Sequence, residues 1–160
     1  MLTKSLNRTL LSCACLLLLG GGGAALGDMV SFGTGGYARA LRTAEMMEKI
    51  DTNADHMVAK AEWDAYQAKL FAMMDADGSG VLDNHEFMEA RIEEMASFAT
   101  GGYASALRTK EMHAKIDADG DGNVTRAEFS AFQDKVYASM DTSKKLILDK
   151  YQFFGQPAAD

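Results

Sequence analysis

Two stretches of the chain are nearly identical. Residues 32–51 read FGTGGYARALRTAEMMEKID, and residues 98–117 read FATGGYASALRTKEMHAKID. Fifteen of these twenty positions agree, at a constant offset of 66 residues. A weaker agreement continues beyond them, so the sequence contains one structural unit twice. The fold must therefore be built from two similar halves, which we place at residues 32–97 and 98–160.

Each half contains two acidic windows of twelve residues, which begin at Asp51, Asp75, Asp117 and Asp141. Each window follows an apolar residue and is followed directly by an aromatic residue. Each also has a branched apolar residue at its eighth position: Val58, Leu82, Val124 and Leu148. In the window DADGDGNVTRAE, carboxylates stand at alternate positions, where like charges repel unless a cation lies between them. The pattern predicts four helix–loop–helix units, each with a short β contact at its eighth residue.

The windows resemble the calcium-binding loop of the EF-hand family, and the resemblance covers nearly all of the chain after residue 27. That motif has acidic or amide residues at positions 1, 3 and 5, glycine at 6 and glutamate at 12. The resemblance implies an all-α fold with Ca²⁺ as the bound ion. Ca²⁺ takes six to eight oxygen ligands, which such a loop supplies from positions 1, 3, 5, 7, 9 and 12.

Two loops carry the complete pattern. Numbered in chain order, loop 1 spans residues 51–62, loop 2 spans 75–86, loop 3 spans 117–128 and loop 4 spans 141–152. The ligands expected in loop 2 are Asp75, Asp77, Ser79, the Val81 carbonyl, Asp83 and Glu86. The ligands expected in loop 3 are Asp117, Asp119, Asp121, the Asn123 carbonyl, Thr125 and Glu128. Gly80 and Gly122 occupy the sixth position, where a sharp turn suits a residue without Cβ. We expect both loops to bind calcium tightly.

The other two loops depart from the pattern. The ligands left in loop 1 are Asp51, Asn53, Asp55, the Met57 carbonyl and Glu62. His56 replaces its glycine and Ala59 removes a side-chain ligand, so we expect weak binding there. Loop 4 has Lys145 in place of an oxygen ligand, Leu146 in place of glycine and Gln152 in place of the closing glutamate. We expect the Lys145 ammonium to occupy the position of the ion and loop 4 to stay metal-free.

The spacing between loops predicts how they pair. Only residues 63–74 separate loop 1 from loop 2, and this segment, WDAYQAKLFAMM, contains no glycine or proline. It predicts one shared helix about 18 Å long, which holds the two loops at opposite ends. Residues 129–140 predict a second shared helix, whereas Thr100-Gly101-Gly102 is a natural break. We therefore predict that loop 2 pairs with loop 3 and loop 1 with loop 4. Pairing between two chains of a homodimer stays open, with a monomer preferred.

The shared-helix spacing also resembles that of lanmodulin-type periplasmic proteins, which bind lanthanides. Those proteins have proline at the second loop position. This chain has other residues there: Thr52, Ala76, Ala118 and Thr142. Lanthanide binding is therefore the lesser alternative to calcium.

The first 27 residues have the features of a secretory signal peptide. Lys4 and Arg8 precede an apolar run that is too short to span a membrane, and Ala25-Leu26-Gly27 suits a signal peptidase. We expect residues 28–160 to form a single secreted or periplasmic domain. A lipoprotein acylated at Cys13 or Cys15 fits less well, because the apolar run continues past both cysteines.

Charge and composition narrow the function further. Removing Lys4 and Arg8 leaves 14 basic residues against 23 acidic ones, a net charge of −9, which argues against nucleic acid or an anionic membrane as a partner. No nucleophile–base set or phosphate loop is evident, so we expect no enzyme. Five methionines fall at helix positions typical of a core: Met46, Met47, Met73, Met74 and Met140. His113 is expected to be a partly buried core residue. The sequence indicates a calcium buffer or a calcium-stabilised binding module. The alternative is a sensor that opens a methionine-rich groove to an unidentified protein partner.

Overall fold

The computed structural model describes residues 35–89 and 101–155, and both parts are built mainly from helices. The helices of the first half are α1 (Gly35–Leu41), α2 (Ala44–Ile50), α3 (Lys60–Met74) and α4 (Asn84–Glu89). Those of the second half are α5 (Gly101–Leu107), α6 (Lys110–Ile116), α7 (Arg126–Met140) and α8 (Lys150–Phe154). The loops contain two-residue strands, β1 (Val58–Ala59), β2 (Val81–Leu82), β3 (Val124–Thr125) and β4 (Ile147–Leu148). The all-α class is confirmed. The expected signal peptide lies outside the described residues.

The helix that enters the first loop of each half is preceded by a separate short helix. Thr43 interrupts the chain in an extended conformation and its hydroxyl caps α2 by accepting a hydrogen bond from the Met46 N–H at 3.1 Å. Thr109 caps α6 in the same way, at 3.2 Å from the Met112 nitrogen. Threonine is favoured at this position because it satisfies a backbone donor that the helix leaves free. The repeated Gly-Gly pair starts α1 and α5 instead of forming the break we expected, and Gly102 does not have a positive φ.

The shared helices are continuous, as predicted. Helices α3 and α7 each contain 15 residues, so each is about 22 Å long. Neither contains glycine or proline, and their buried residues recur at three- and four-residue intervals, which places one face of each helix in the core. Each helix therefore separates two loops by its full length.

The loops pair as the spacing predicts. Strand β2 is antiparallel to β3, with Leu82 opposite Val124. Strand β1 is antiparallel to β4, with Val58 opposite Leu148. The Arg126 N–H extends the first ribbon by donating to the Gly80 carbonyl at 3.3 Å, and the Lys60 N–H donates to the Leu146 carbonyl at 3.0 Å in the second. The two loops with complete ligand patterns thus lie side by side, as do the two incomplete ones.

The core is formed by apolar side chains from both halves. Met46, Met47, Met74 and Met140 are buried, and Met73 packs against the core, so the interpretation of these methionines as core residues holds. His113 is half-buried, with its ring 5.0 Å from that of Phe87 in an edge-on contact. It is a core histidine, as expected.

A buried polar chain of four side chains joins the two halves. Helix α1 packs against α5, and α3 packs against α7. The hydroxyls of Tyr37 and Tyr103 are 3.4 Å apart. Tyr37 donates to Gln133 Oε1 at 3.2 Å, and Tyr103 donates to Gln67 Oε1 at 3.3 Å. Burial raises the pKa of Tyr37 to about 12, so its phenol remains neutral at physiological pH.

Candidate metal centre

All four loops adopt the same backbone turn. Their fourth and sixth residues have positive φ, at Ala54 and His56, Gly78 and Gly80, Gly120 and Gly122, and Lys144 and Leu146. In loops 2 and 3 both positions are glycine, which adopts this conformation without steric cost. In loops 1 and 4 both are residues with a Cβ, for which the left-handed region is unfavourable by roughly 1–2 kcal/mol per residue. The incomplete loops therefore hold the turn against strain.

The closing glutamate ties the two ends of each complete loop together. In loop 3, Glu128 Oε1 accepts from the Ala118 N–H at 2.9 Å, and its Oε2 accepts from the Thr125 N–H at 2.9 Å. In loop 2, Glu86 accepts from the equivalent donors, Ala76 at 3.0 Å and Asp83 at 3.3 Å. The hydrogen bonds from the Thr125 N–H and hydroxyl lower the pKa of Glu128 to about 2, so its carboxylate stays ionised.

Two groups of three carboxylates meet inside these loops. Ligand atoms of Asp75, Asp77 and Glu86 lie within 4.8 Å of one another, and those of Asp117, Asp119 and Glu128 do the same. Such oxygen-rich clusters suit a hard divalent cation. The residues present therefore fit Ca²⁺, and each cluster includes the first and last positions of its loop.

The other expected ligands lie around these clusters. Ser79 Oγ is 3.5 Å from Asp75 Oδ1 and 2.9 Å from the Val81 carbonyl. In loop 3, Asp121 is exposed and accepts from the Asn123 N–H at 2.8 Å. Asp83 and Thr125, at the ninth positions, accept from the N–H groups of their closing glutamates at 2.8 and 3.2 Å. The ninth residue thus also caps the helix that leaves the loop.

Loop 1 has the backbone of a metal loop but not its carboxylate cluster. Glu62 accepts from the Thr52 and Asn53 N–H groups at 2.9 and 3.2 Å, and Asp51 accepts from the His56 N–H at 2.8 Å. However, among the described residues its carboxylates do not form a group comparable to those of loops 2 and 3. Weak binding at loop 1 remains a prediction.

Loop 4 is held by its own side chains, and one expectation about it is wrong. Lys145 is exposed and forms no ion pair with Asp141 in the described part of the chain, so its ammonium does not fill the loop. The Asp141 carboxylate instead accepts from the Leu146 N–H at 2.7 Å. Gln152 accepts from the Asp149 N–H at 3.1 Å and donates to Thr142 Oγ1 at 3.2 Å. These uncharged contacts replace those of a closing glutamate, and the loop keeps its shape with fewer charges.

Loop 1 also lacks a helix cap, and this predicts a gain in stability. Ala59 has no side-chain acceptor for the start of α3, whereas its equivalents Asp83, Thr125 and Asp149 cap their helices. Ala59→Asn should raise the free energy of unfolding by about 1 kcal/mol. Chemical denaturation measures the gain, and an Ala68→Asn variant on the same helix is the control. Ala59→Asp should in addition strengthen calcium binding at loop 1. An unchanged midpoint for Ala59→Asn would contradict the capping argument.

Arg126 is a charged residue at this site that the sequence analysis did not single out. It lies at the tenth position of loop 3, yet its Nη2 atom is 3.7 Å from Asp75 Oδ2 in loop 2. Its guanidinium lies 4.7 Å from the centre of the Phe71 ring. The pairing of loops 2 and 3 predicts that their residues come close, but not which side chain crosses the ribbon.

Comparison with known proteins agrees with this geometry. The family model described as "EF hand" matches residues 67–90 and 114–133, which include most of loops 2 and 3. The chain is 38% identical over 73 residues to the probable calcium-binding protein CML29 of Arabidopsis thaliana, a match that covers 46% of this chain and 75% of the plant protein. It is 32% identical over 89 residues to an uncharacterised calcium-binding protein of Caenorhabditis elegans. That match covers 55% of this chain but only 36% of the nematode protein. No solved structure gave a significant match.

Helix–loop–helix units paired through short ribbons, with carboxylate clusters inside the loops, define a class of metal-binding proteins. The match to CML29 spans enough of that relative to identify the family. The chain belongs to the EF-hand calcium-binding family, and its bound ion is Ca²⁺.

Proposed function

We propose that this chain is an exported protein that binds two calcium ions tightly, at loops 2 and 3, and serves as a calcium buffer or a calcium-stabilised binding module. The observation that carries the proposal is the pair of three-carboxylate groups on loops joined by one ribbon. The proposed binding role is not catalytic. The chain spans about a third of the length of the nematode relative, so any larger role of that protein is not transferred.

Calorimetric titration tests the stoichiometry. We expect two tight sites for calcium, with a weaker third at loop 1, because loops 2 and 3 combine full ligand sets with glycine at both positive-φ positions. Parallel titrations with magnesium and lanthanum compare the ion preference, since a lanthanide ion also takes oxygen ligands. Four equal sites, or no binding, would contradict the proposal. Much tighter binding of lanthanum at physiological ion concentrations would favour the lanthanide alternative.

A calcium sensor is the alternative within the same family. A sensor exposes apolar surface when calcium binds. In this structure Met46, Met74 and Met140 are buried, and the exposed large apolar side chains of the described residues are Met57, Leu146 and Ile147, all on loops 1 and 4. This distribution supports the buffer or binding module. Fluorescence of an apolar dye should therefore change little on adding calcium, whereas a large calcium-dependent increase would indicate a sensor.

Export rests on the sequence of the first 27 residues. The described residues contain no helix that combines the length and hydropathy needed to cross a membrane. Mass spectrometry of the protein secreted from a bacterial host should give a chain that begins at Asp28. A lipid-modified amino terminus at Cys13 or Cys15 would support the lipoprotein alternative instead.

A further inference from the structure

Arg126 connects the two tight loops through charge. Its backbone belongs to the exit of loop 3, where its N–H donates to the Gly80 carbonyl of loop 2 at 3.3 Å. Its guanidinium lies over the Phe71 ring and reaches to 3.7 Å from Asp75 Oδ2. Asp75 is the first residue of loop 2, and only 8% of its surface is exposed. A positive charge from one loop thus contacts the first acidic residue of the other.

The surroundings of Asp75 explain why a cation is stable there. Asp75 caps the C-terminus of α3, and the last turn of α3 contains no basic residue of its own. Cations are favoured at helix C-termini and over aromatic rings. Asp75 Oδ2 also accepts from the Gly80 N–H at 3.0 Å. Arg126 therefore pairs with the carboxylate oxygen that faces the ribbon, while Oδ1 remains beside Ser79.

We propose that Arg126 lowers the affinity of loop 2 for calcium, so that loop 3 fills before loop 2. The proposal rests on the proposed function, namely calcium binding at both loops. A guanidinium beside Asp75 offsets part of the negative charge that attracts the ion and repels the ion itself. When loop 2 fills, the Arg126–Asp75 pair is weakened and the guanidinium keeps its contact with Phe71.

The reciprocal interaction is absent, and this asymmetry sets the order of filling. The tenth position of loop 2 is Asn84, an uncharged residue, so loop 2 offers loop 3 no cation from that position. In the other ribbon the equivalent of Arg126 is Lys60, whose Nζ lies 5.8 Å from the Tyr137 ring. Lys60 pairs with Asp64 and with Asp134, the latter at 2.8 Å, in place of a loop carboxylate. Lys60 is therefore a matched control for Arg126.

The experiment isolates loop 2. In a Glu128→Gln background, loop 2 is the remaining tight site, and calcium titration reports its dissociation constant directly. Adding Arg126→Gln should lower that constant about tenfold at low salt, the effect of removing one charge about 6 Å from a divalent ion in water. The effect should shrink to about threefold at physiological ionic strength because salt screens the charge. Lys60→Gln in the same background should leave the constant unchanged.

A second variant tests the proposal without removing any contact. In a Glu86→Gln background, where loop 3 is the remaining tight site, Asn84→Arg should raise its dissociation constant by a similar factor. Circular dichroism of each variant checks that the helices are intact.

The outcomes separate this proposal from the proposed function. If Glu128→Gln alone binds no calcium, loop 2 is not a site and the proposed function fails. If it binds calcium with an affinity that Arg126→Gln leaves unchanged or weakens, the role of Arg126 is overturned while the proposed function stands. If Asn84→Arg leaves loop 3 unchanged, the argument from ribbon geometry is overturned.

Discussion

Replacing Glu128 with glutamine should abolish tight calcium binding at loop 3 and weaken it at loop 2. The substitution removes one charge and alters the residue that contributes two oxygens to the ion, so the loop 3 affinity should fall by about a hundredfold or more. Loop 2 should lose about fivefold, because filling loop 3 orders the ribbon in which Leu82 lies opposite Val124. Calorimetric titration measures both effects.

Two controls make this result specific. Glu111→Gln removes the same charge from an exposed position on α6, outside every loop, and should leave both sites intact. Hydrogen exchange should show the Leu82 and Val124 amides gaining protection together when calcium is added to the unmodified protein. If Glu128→Gln left loop 2 with its original affinity, the two loops would be independent sites despite the shared ribbon.

Calcium should raise the melting temperature by about 10–20 °C. The expected exported chain has a net charge of −9 from 14 basic and 23 acidic residues, and two Ca²⁺ ions neutralise four of those charges. Each site stabilises the folded state by about 2.7 kcal/mol when calcium exceeds its dissociation constant a hundredfold. For a domain of this size, each kcal/mol corresponds to about 2–4 °C. Differential scanning calorimetry with calcium and with a chelator measures the shift.

A Glu86→Gln, Glu128→Gln double variant should melt at the same temperature with and without calcium. Potassium chloride at matched ionic strength should not reproduce the calcium effect, because screening acts without occupying the loops. A melting temperature that ignored calcium in the unmodified chain would mean that the carboxylate groups are not metal sites.

Loop pairing could be predicted from sequence because one helix length and one residue type decide it. Residues 63–74 offer no position at which a helix bends, and Val58, Leu82, Val124 and Leu148 offer apolar side chains where the loops can meet. The ribbons follow from these two facts. The ligand positions follow from spacing alone, since a twelve-residue loop returns its first and last carboxylates to one point.

The rest depends on contacts between residues distant in sequence. Arg126 and Asp75 are brought together by the fold, and nothing in the spacing of loop 3 indicates which carboxylate the guanidinium reaches. The position of the Lys145 side chain was wrong for a related reason, because a flexible lysine gains more from hydration at the surface than from entering a loop. The break before α2 had a local signal in Thr43, a favoured helix cap, but no glycine or proline draws attention to it.

The polar chain in the core contains too few hydrogens to be symmetric. Its contacts, at 3.3, 3.4 and 3.2 Å, run in the order Gln67, Tyr103, Tyr37, Gln133. Each phenol has one hydrogen, and if each donates to its own glutamine, no hydrogen is left for the contact between the two phenols. The Nε2 atoms of Gln67 and Gln133 are meanwhile buried without partners in the described residues. Reversing one amide, so that its N–H donates to the tyrosine oxygen, supplies the third hydrogen.

Once one amide is reversed, every hydrogen bond in the chain runs in the same direction, from one half of the protein to the other. Two directions exist, and in a perfect repeat they would have equal energy. Gene duplication therefore produced a backbone with two matching halves but an interior that must choose a direction. Sequence differences around Tyr37 and Tyr103 decide which half donates, and a buried polarity of this kind distinguishes two halves whose loops have also diverged.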